Sequence, residues 1–473
     1  MSTASTILTS PATPTGALDI PLDVFGQSAF LQIYTQLCLA YPVADPASHS
    51  TIISTLQKGL ERLCESIPWV AGQVVNEGAN GEDTGAYKIT SFQKSAPLVV
   101  KDLSNDPSIP TMDALRKADF PMKLLDESMI APRRTLPGHP NEAGLNSPVL
   151  PLQATFINGG LLLTFASQHA TMDMTGQGQL MNLLDRACRD EPFTDEKLQI
   201  GNIDRQNLIP LLDNYQPGPE ISHLMIKPPS AEGDSSDLPH TQKLPAPSSW
   251  AHLSFSPESL AALKSLAETT KPSSTPFIST DDALSALIWQ AVARARLARL
   301  TPSTKSTFGR ALDARPYMDN IPNTYPGLMQ SMCFNKATLQ SLATSPLGIV
   351  ASDLRTTLHP SVSKTEHIVR ATATVLSASR NKNIIGPTAT IDTSTDITVS
   401  SWSKVNAYDL DFNLGLGKPE AVRRPRFTPV EGLIYFMPRG LDGGVGVAVC
   451  LRDEDLEGVK GDSKFGRFGV FVG

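Results

Sequence analysis

Between residues 52 and 67 the chain repeats apolar side chains at helical spacing. Ile52, Ile53, Leu56, Leu60, Leu63, Cys64 and Ile67 fall on one face, which predicts an amphipathic helix. The pair Pro68-Trp69 ends it, and WVAGQVV predicts a strand. Further on the pattern changes. Leu152 to Thr155 and Leu161 to Phe165 are strand-like runs flanking Asn158-Gly159-Gly160, a hairpin signal. The second run leads into TFASQHATMDMTGQG, after which Leu180, Leu183, Leu184, Ala187 and Cys188 restore the helical period. His169 therefore falls at a strand-to-helix junction, where backbone geometry can aim a side chain into a cleft.

The second half repeats these habits without repeating the sequence. STDDALSALIWQAVARARLARL predicts a helix: Ser279 or Thr280 caps it, Asp281 and Asp282 suit its first turn, and Leu284, Leu287, Ile288, Ala291, Val292 and Ala295 form its apolar face. LIYFMP and VGVAVCL bracket RGLDGG as a hairpin, and a short acidic helix begins at Asp453. Helices and strands alternate in both halves, so the fold class expected is α/β, with two layered domains. The divisions expected are a flexible N-terminal tail over 1–25, a first domain over 26–213, a polar, proline-rich crossover linker over 214–250, and a second domain over 251–473.

Size supports this division, since 473 residues exceed what one compact core normally holds. Composition mostly excludes. A formal charge of −7, with Lys and Arg scattered, argues against a nucleic-acid surface. No apolar run reaches the roughly 20 residues needed to span a bilayer, and the N-terminus lacks the basic start and apolar core of a secretory signal. Cys38, Cys64, Cys188, Cys333 and Cys450 are far apart and odd in number, which suits a reducing, cytoplasmic location better than disulfides or zinc.

His169 and Asp173 then admit three readings: a base with its support, a metal clip, or an ordinary polar pair. Zinc needs three or four ligands, and the other seven histidines are isolated; no GxSxG elbow is present for a serine hydrolase. A histidine acting as a base without a covalent nucleophile survives beside the ordinary pair. Far downstream, DFNLGLG carries Asp411, Gly415 and Gly417, too little alone to mark a phosphate loop.

Together, HxxxD and a distant DFxxGxG resemble the BAHD acyltransferase superfamily. Within it, FLQIYTQLCLAYPVADP, KDLSNDPSIPTMDALRKADFP, ALDARPYMDNIPNTYPGLMQ and DFNLGLGKPEAVRRPRFTPVEGLIYFMP are similar to the fungal trichothecene 3-O-acetyltransferases. The resemblance implies two chloramphenicol-acetyltransferase-like domains of similar topology with an active-site channel between them, in a monomer. It implies an acetyl-CoA-dependent O-acetyltransferase, without metal, acting on the C-3 hydroxyl of a trichothecene. A different fungal alcohol or amine as acceptor, and a catalytically silent binding protein, stay open as alternatives. By the same resemblance His169 is the general base, Asp173 supports its loop by pairing with Arg315, and Ser400, then the indole of Trp402, is the candidate oxyanion donor. Asp411 pins the loop holding Gly415 and Gly417 near the CoA channel; Lys418, Arg423 and Arg424, close to this loop in sequence, are candidate phosphate ligands or else a solvated surface cluster. Two departures stand out: Asn413 replaces a glycine, and Ala170-Thr171 replaces a smaller pair, which predicts a narrower pocket beside His169.

Overall fold

A computed structural model describes residues 6–8, 17–226 and 246–473. Its first sheet runs, in spatial order, Thr6–Leu8, Leu98–Asp102, Leu152–Ile157, Gly160–Gln168, Tyr34–Pro42 and Ala421–Arg423. Two adjoining interior strands, Tyr34–Pro42 and Gly160–Gln168, are almost wholly buried on both faces. That explains why LLLTFAS is mostly apolar and lacks a strict polar alternation. The expected hairpin pairs Leu152–Ile157 antiparallel with Gly160–Gln168. The helices His49–Ser66 and Met174–Cys188 pack together over this sheet; a Cβ on Gly59 would lie 2.3 Å from Cys188 Sγ, so their approach requires glycine.

The second sheet orders Gln330–Thr338, Lys305–Asp313, Ile397–Ser401, Leu433–Phe436, Val445–Arg452, Ser248–Phe255 and Val470–Phe471. Helix Thr280–Arg296 buries its apolar face here and starts with a full capping box from Ser279 and Asp282. A small third sheet joins Asp19–Pro21, Ala86–Thr90 and Gln73–Glu77.

Several expectations need correction. In WVAGQVV, Pro68–Ala71 forms a 3₁₀ turn and only Gln73–Glu77 is a strand. The tail over 1–25 is not free where it is described. Thr6–Leu8 pairs with Leu98–Asp102, and Leu22 and Phe25 are buried in the main core; residues 1–5 and 9–16 lie outside the described residues. Apolar side chains separated by polar ones hid this burial from a compositional reading. The crossover shows the same error in part. Ile221 and Leu224 are buried, and backbone bonds tie Leu224 and Ile226 to Gly386 and Ile384, while 227–245 lie outside the described residues.

The division at 251 also fails to separate two self-contained cores. Ala421–Arg423, from the second half, is an edge strand of the first sheet, antiparallel to Tyr34–Pro42. One apolar cluster joins Leu37, Phe165 and Met172 to Met329, Trp402 and Phe412. The halves are thus stitched together along the line where His169 lies.

Candidate active site

His169 follows the last residue of strand Gly160–Gln168, and its backbone N–H continues the ladder to Ile33 O at 2.8 Å. Beyond it the chain turns tightly. Ala170 N–H donates to Gln168 Oε1 at 2.7 Å, Thr171 Oγ donates to Gln168 O at 2.7 Å, and Arg205 Nη1 donates to Thr171 O at 2.6 Å. Arg205 is held by stacking 4.1 Å over the Trp69 ring. Every polar turn atom so engaged removes a way for the loop to relax. Ala170 and Thr171 are fully buried within this turn.

The histidine tautomer follows from one contact. Nδ1 lies 3.1 Å from Met172 O, which can only accept, so Nδ1 carries the proton and Nε2 keeps its lone pair. Burial holds the imidazole pKa below the ordinary histidine value; the Met172 bond and Asp173 oppose that shift, and the Arg424 charge adds to it. The ring is therefore neutral at pH 7 with a free nitrogen, the state a general base needs.

Asp173 faces away from this chemistry. It caps helix Met174–Cys188 by accepting Gly176 N–H at 2.9 Å, and its other oxygen accepts Met329 N–H at 2.7 Å. Arg315 grips both oxygens at 3.0 Å while donating to Tyr325 O, Gly327 O and Asp313. The pair lies between the halves, and Gly176 is equally constrained, since a Cβ there would meet Pro326 O at 2.2 Å. Asp173 and Arg315 thus meet across 142 residues of sequence.

Ser400 and Trp402 reach the same neighbourhood through the second sheet. Ile397–Ser401 runs parallel to Lys305–Asp313, with Val399 opposite Arg310, so its end lies beside the segment that carries Asp313 and Arg315. Trp402 Nε1 donates to Ser400 Oγ at 3.0 Å. That uses the only indole donor, so Trp402 has none left for an oxyanion, while the serine hydroxyl keeps its own proton to donate.

The DFNLGLG loop is built as a brace. Asp411 pairs with Arg189 and accepts Asn413 N–H at 2.8 Å, and Phe412 N–H donates to Asp185 Oδ1 at 2.7 Å. Phe412 and Asn413 both adopt positive φ, as do Gly415 and Gly417, so Asn413 tolerates the turn its position demands. Lys418 is half-exposed and paired with Asp409 at 2.6 Å.

The two arginines are a correction. Arg423 is buried and bonded to Phe120 O and to Asp119. Arg424 is 2% exposed, lying beneath Trp402, Phe427 and Tyr435. Neither guanidinium is available to a solvent-borne phosphate, because strand Ala421–Arg423 carries this basic pair into the seam between the sheets. Sequence reasoning also missed Arg205, Met329, Asp185 and Arg189. Arg205 and Met329 act through backbone atoms or on them, and such partners have no residue-type signature. Among the described residues, no group of three or more His, Cys, Asp and Glu gathers as metal ligands, and no helix is long and apolar enough to cross a membrane.

Comparisons with known proteins identify the family. The trichothecene 3-O-acetyltransferase-like N-terminal domain matches residues 33–188, and the Transferase family matches 128–465. An O-acetyltransferase of Cryptosporiopsis sp. is 50% identical over 458 residues, covering 96% of this chain and 98% of its own. The trichothecene 3-O-acetyltransferase of Fusarium sporotrichioides is 46% identical over 467 residues, covering 98% and 99%. The F. graminearum enzyme, solved with coenzyme A and deoxynivalenol, superposes with a TM-score of 0.91 at 46% identity, covering 96% of this chain and all of its own. Vinorine synthase, at 17% identity and a TM-score of 0.67, shares the fold. The chain belongs to the Transferase family, carries its trichothecene 3-O-acetyltransferase-like N-terminal domain, and is an acyltransferase with the two-domain BAHD fold.

Proposed function

We propose that this protein transfers the acetyl group of acetyl-CoA to the C-3 hydroxyl of a trichothecene, with His169 as general base. The observation that carries the mechanism is the contact of Nδ1 with Met172 O, which keeps the proton on Nδ1 and the lone pair on Nε2. An alcohol is a poor nucleophile at neutral pH, and Nε2 accepts its proton as the oxygen attacks the thioester carbonyl. The carbonyl π pair moves onto oxygen, and the Ser400 hydroxyl donates to that oxyanion. On collapse the C–S bond breaks, and the proton held on Nε2 passes to the departing thiolate. No acyl-enzyme is needed, since the thioester is already activated. Asp173 and Arg315 hold the loop in shape, and Asp411 braces the wall of the donor channel.

The acceptor reading is supported by the relatives from Fusarium, named for trichothecene 3-O-acetylation and solved with trichothecenes and coenzyme A. The Cryptosporiopsis relative is more similar and bears no trichothecene in its name, which favours a different fungal alcohol as the second reading. A cytoplasmic site of action suits the five unpaired cysteines. The test is incubation of the full chain with acetyl-CoA and deoxynivalenol, following CoA release and locating the added acetyl group by mass and NMR. Acetylation at C-3 is expected. Acetylation of a C-3-blocked analogue, or of an unrelated fungal alcohol alone, would remove the trichothecene assignment.

A further inference from the structure

Arg424 is buried among rings and bonded to neutral oxygens. Its guanidinium lies 4.2 Å from the centre of the Phe427 ring, 4.6 Å from Tyr435 and 5.6 Å from Trp402. Its nitrogens donate weakly to Gln36 O at 3.4 Å and Thr135 Oγ1 at 3.3 Å, and Nε has no partner among the described residues. The buried Glu127 carboxylate, which accepts from Gln36 Nε2 and Thr135 N–H, offsets part of this charge without bonding the guanidinium directly among the described residues, so burial of Arg424 is still costly. Its backbone follows an edge strand of the first sheet, whereas Tyr435 lies in a strand of the second and Trp402 directly follows another. Arg424 thus ties the first sheet to the ring whose N–H touches Ser400.

We propose that Arg424 is a positioning residue for the acyl transfer: it fixes the Trp402 ring so that the indole N–H holds Ser400 with its hydroxyl proton directed at the oxyanion. This rests on the reading of Ser400 as oxyanion donor. Two physical effects converge. A cation over the indole face restrains the ring and makes its N–H a stronger donor. An N–H delivered to one lone pair of Ser400 Oγ leaves the serine proton to point away from Trp402, and a hydroxyl engaged as acceptor donates more strongly. The Arg424 charge also adds to the lowering of the His169 pKa, behind the larger effect of burial.

The experiment is a mutant cycle on the full chain. Removing an oxyanion donor costs about 10²–10³ in kcat, so Ser400→Ala is expected in that range, and Arg424→Met, which loosens the donor without deleting it, at about 10–100-fold. KM for acetyl-CoA is expected to stay within about 3-fold, because neither change touches the donor's binding. In the Ser400→Ala background, Arg424→Met is expected to cost less than about 3-fold more. Trp402→Phe removes the N–H while keeping a ring over Arg424, and it is expected to match Arg424→Met in kcat with an unchanged melting temperature. That variant keeps the idea open to refutation if Arg424→Met does not fold. Losses that multiply in the double mutant, a raised KM for acetyl-CoA at normal kcat, or full activity in Trp402→Phe would each overturn the proposal. Turnover is read with deoxynivalenol and, separately, as hydrolysis of acetyl-CoA without alcohol, which passes through the same oxyanion. A wild-type enzyme inert toward deoxynivalenol would thus sink the acceptor assignment and leave the cycle readable.

Discussion

Replacing Asp173 by asparagine keeps the size of the side chain and inverts half of its hydrogen bonding. In the wild type both carboxylate oxygens accept: from Gly176 and Met329 N–H, and from the Arg315 guanidinium at 3.0 Å on each oxygen. An asparagine NH₂ would face donors on whichever side it took, and Arg315, with a fully buried side chain, would lose its buried carboxylate partner and keep the more exposed Asp313. Breaking one partner out of a buried pair costs about 3–5 kcal/mol. Asp313 stays bonded to Arg315 at 2.8 Å but is more than a third exposed, so the lower end, about 3 kcal/mol, is expected. For a cooperative unit of 150–250 residues that lowers the melting midpoint by about 6–12 °C. The midpoint is the quantity to compare, because a chain of this length need not unfold in one step. Circular dichroism melts paired with kcat at a temperature where both proteins are folded give the answer. A fall in midpoint with about 10–100-fold lower kcat fits a loop that has lost its anchor. An unchanged midpoint with a far larger loss of kcat would mean that Asp173 acts on the chemistry itself. Simple additivity with Arg315→Ala would show that the two do not work as a unit.

Three further changes probe the site from other sides. His169→Ala is expected to lower kcat by about 10²–10⁴ with acetyl-CoA binding retained by calorimetry. In the wild type, burial lowers the His169 pKa, so kcat/KM should hold through pH 6.5 and fall only as pH drops through that lowered value; an acid limb above 6.5 would contradict this. Asp23 is buried beside Gly26, and burial raises its carboxyl pKa from 3.8 to about 6. The folded chain therefore holds a proton that the unfolded chain has lost between those two values, and stability falls as pH rises through the window. Asp23→Asn should then raise the melting midpoint at pH 7.5 and barely change it at pH 4. The same gain at both pH values would reject the assignment. Gly26→Ala would push a Cβ to 2.3 Å from Ala170 O, a backbone atom in the His169 turn, so both midpoint and kcat should drop; wild-type behaviour would mean that the turn yields freely.

The sequence made some of this legible and hid the rest for identifiable reasons. Local periodicity and capping exposed the helix at 280–296 and the hairpin at 152–168, since both are decided by neighbours along the chain. The junction that aims His169 was visible for the same reason. What held that junction was not, because Ile33 O, Met172 O, Thr171 O and Met329 N–H are backbone atoms that any residue supplies. Arg423 and Arg424 misled differently. Two adjacent basic residues after a glycine loop look like an anion site, and only pairing of Ala421–Arg423 with a strand nearly 400 residues earlier shows that they point inward. The buried stretch around Leu22 and Phe25 was misjudged from its polar surroundings.

That long-range pairing has a consequence for how the protein comes into being. As the polypeptide leaves the ribosome, strand Tyr34–Pro42 emerges early, with Gly160–Gln168 following on one side, but its other neighbour is residues 421–423. Until most of the message has been translated, this apolar strand has an unpaired edge, the kind that invites pairing with a neighbouring nascent chain. Premature termination anywhere before residue 421 would leave that edge open for good. Truncated products of this gene should accordingly be recovered as aggregates or chaperone clients, even when they contain the whole first half.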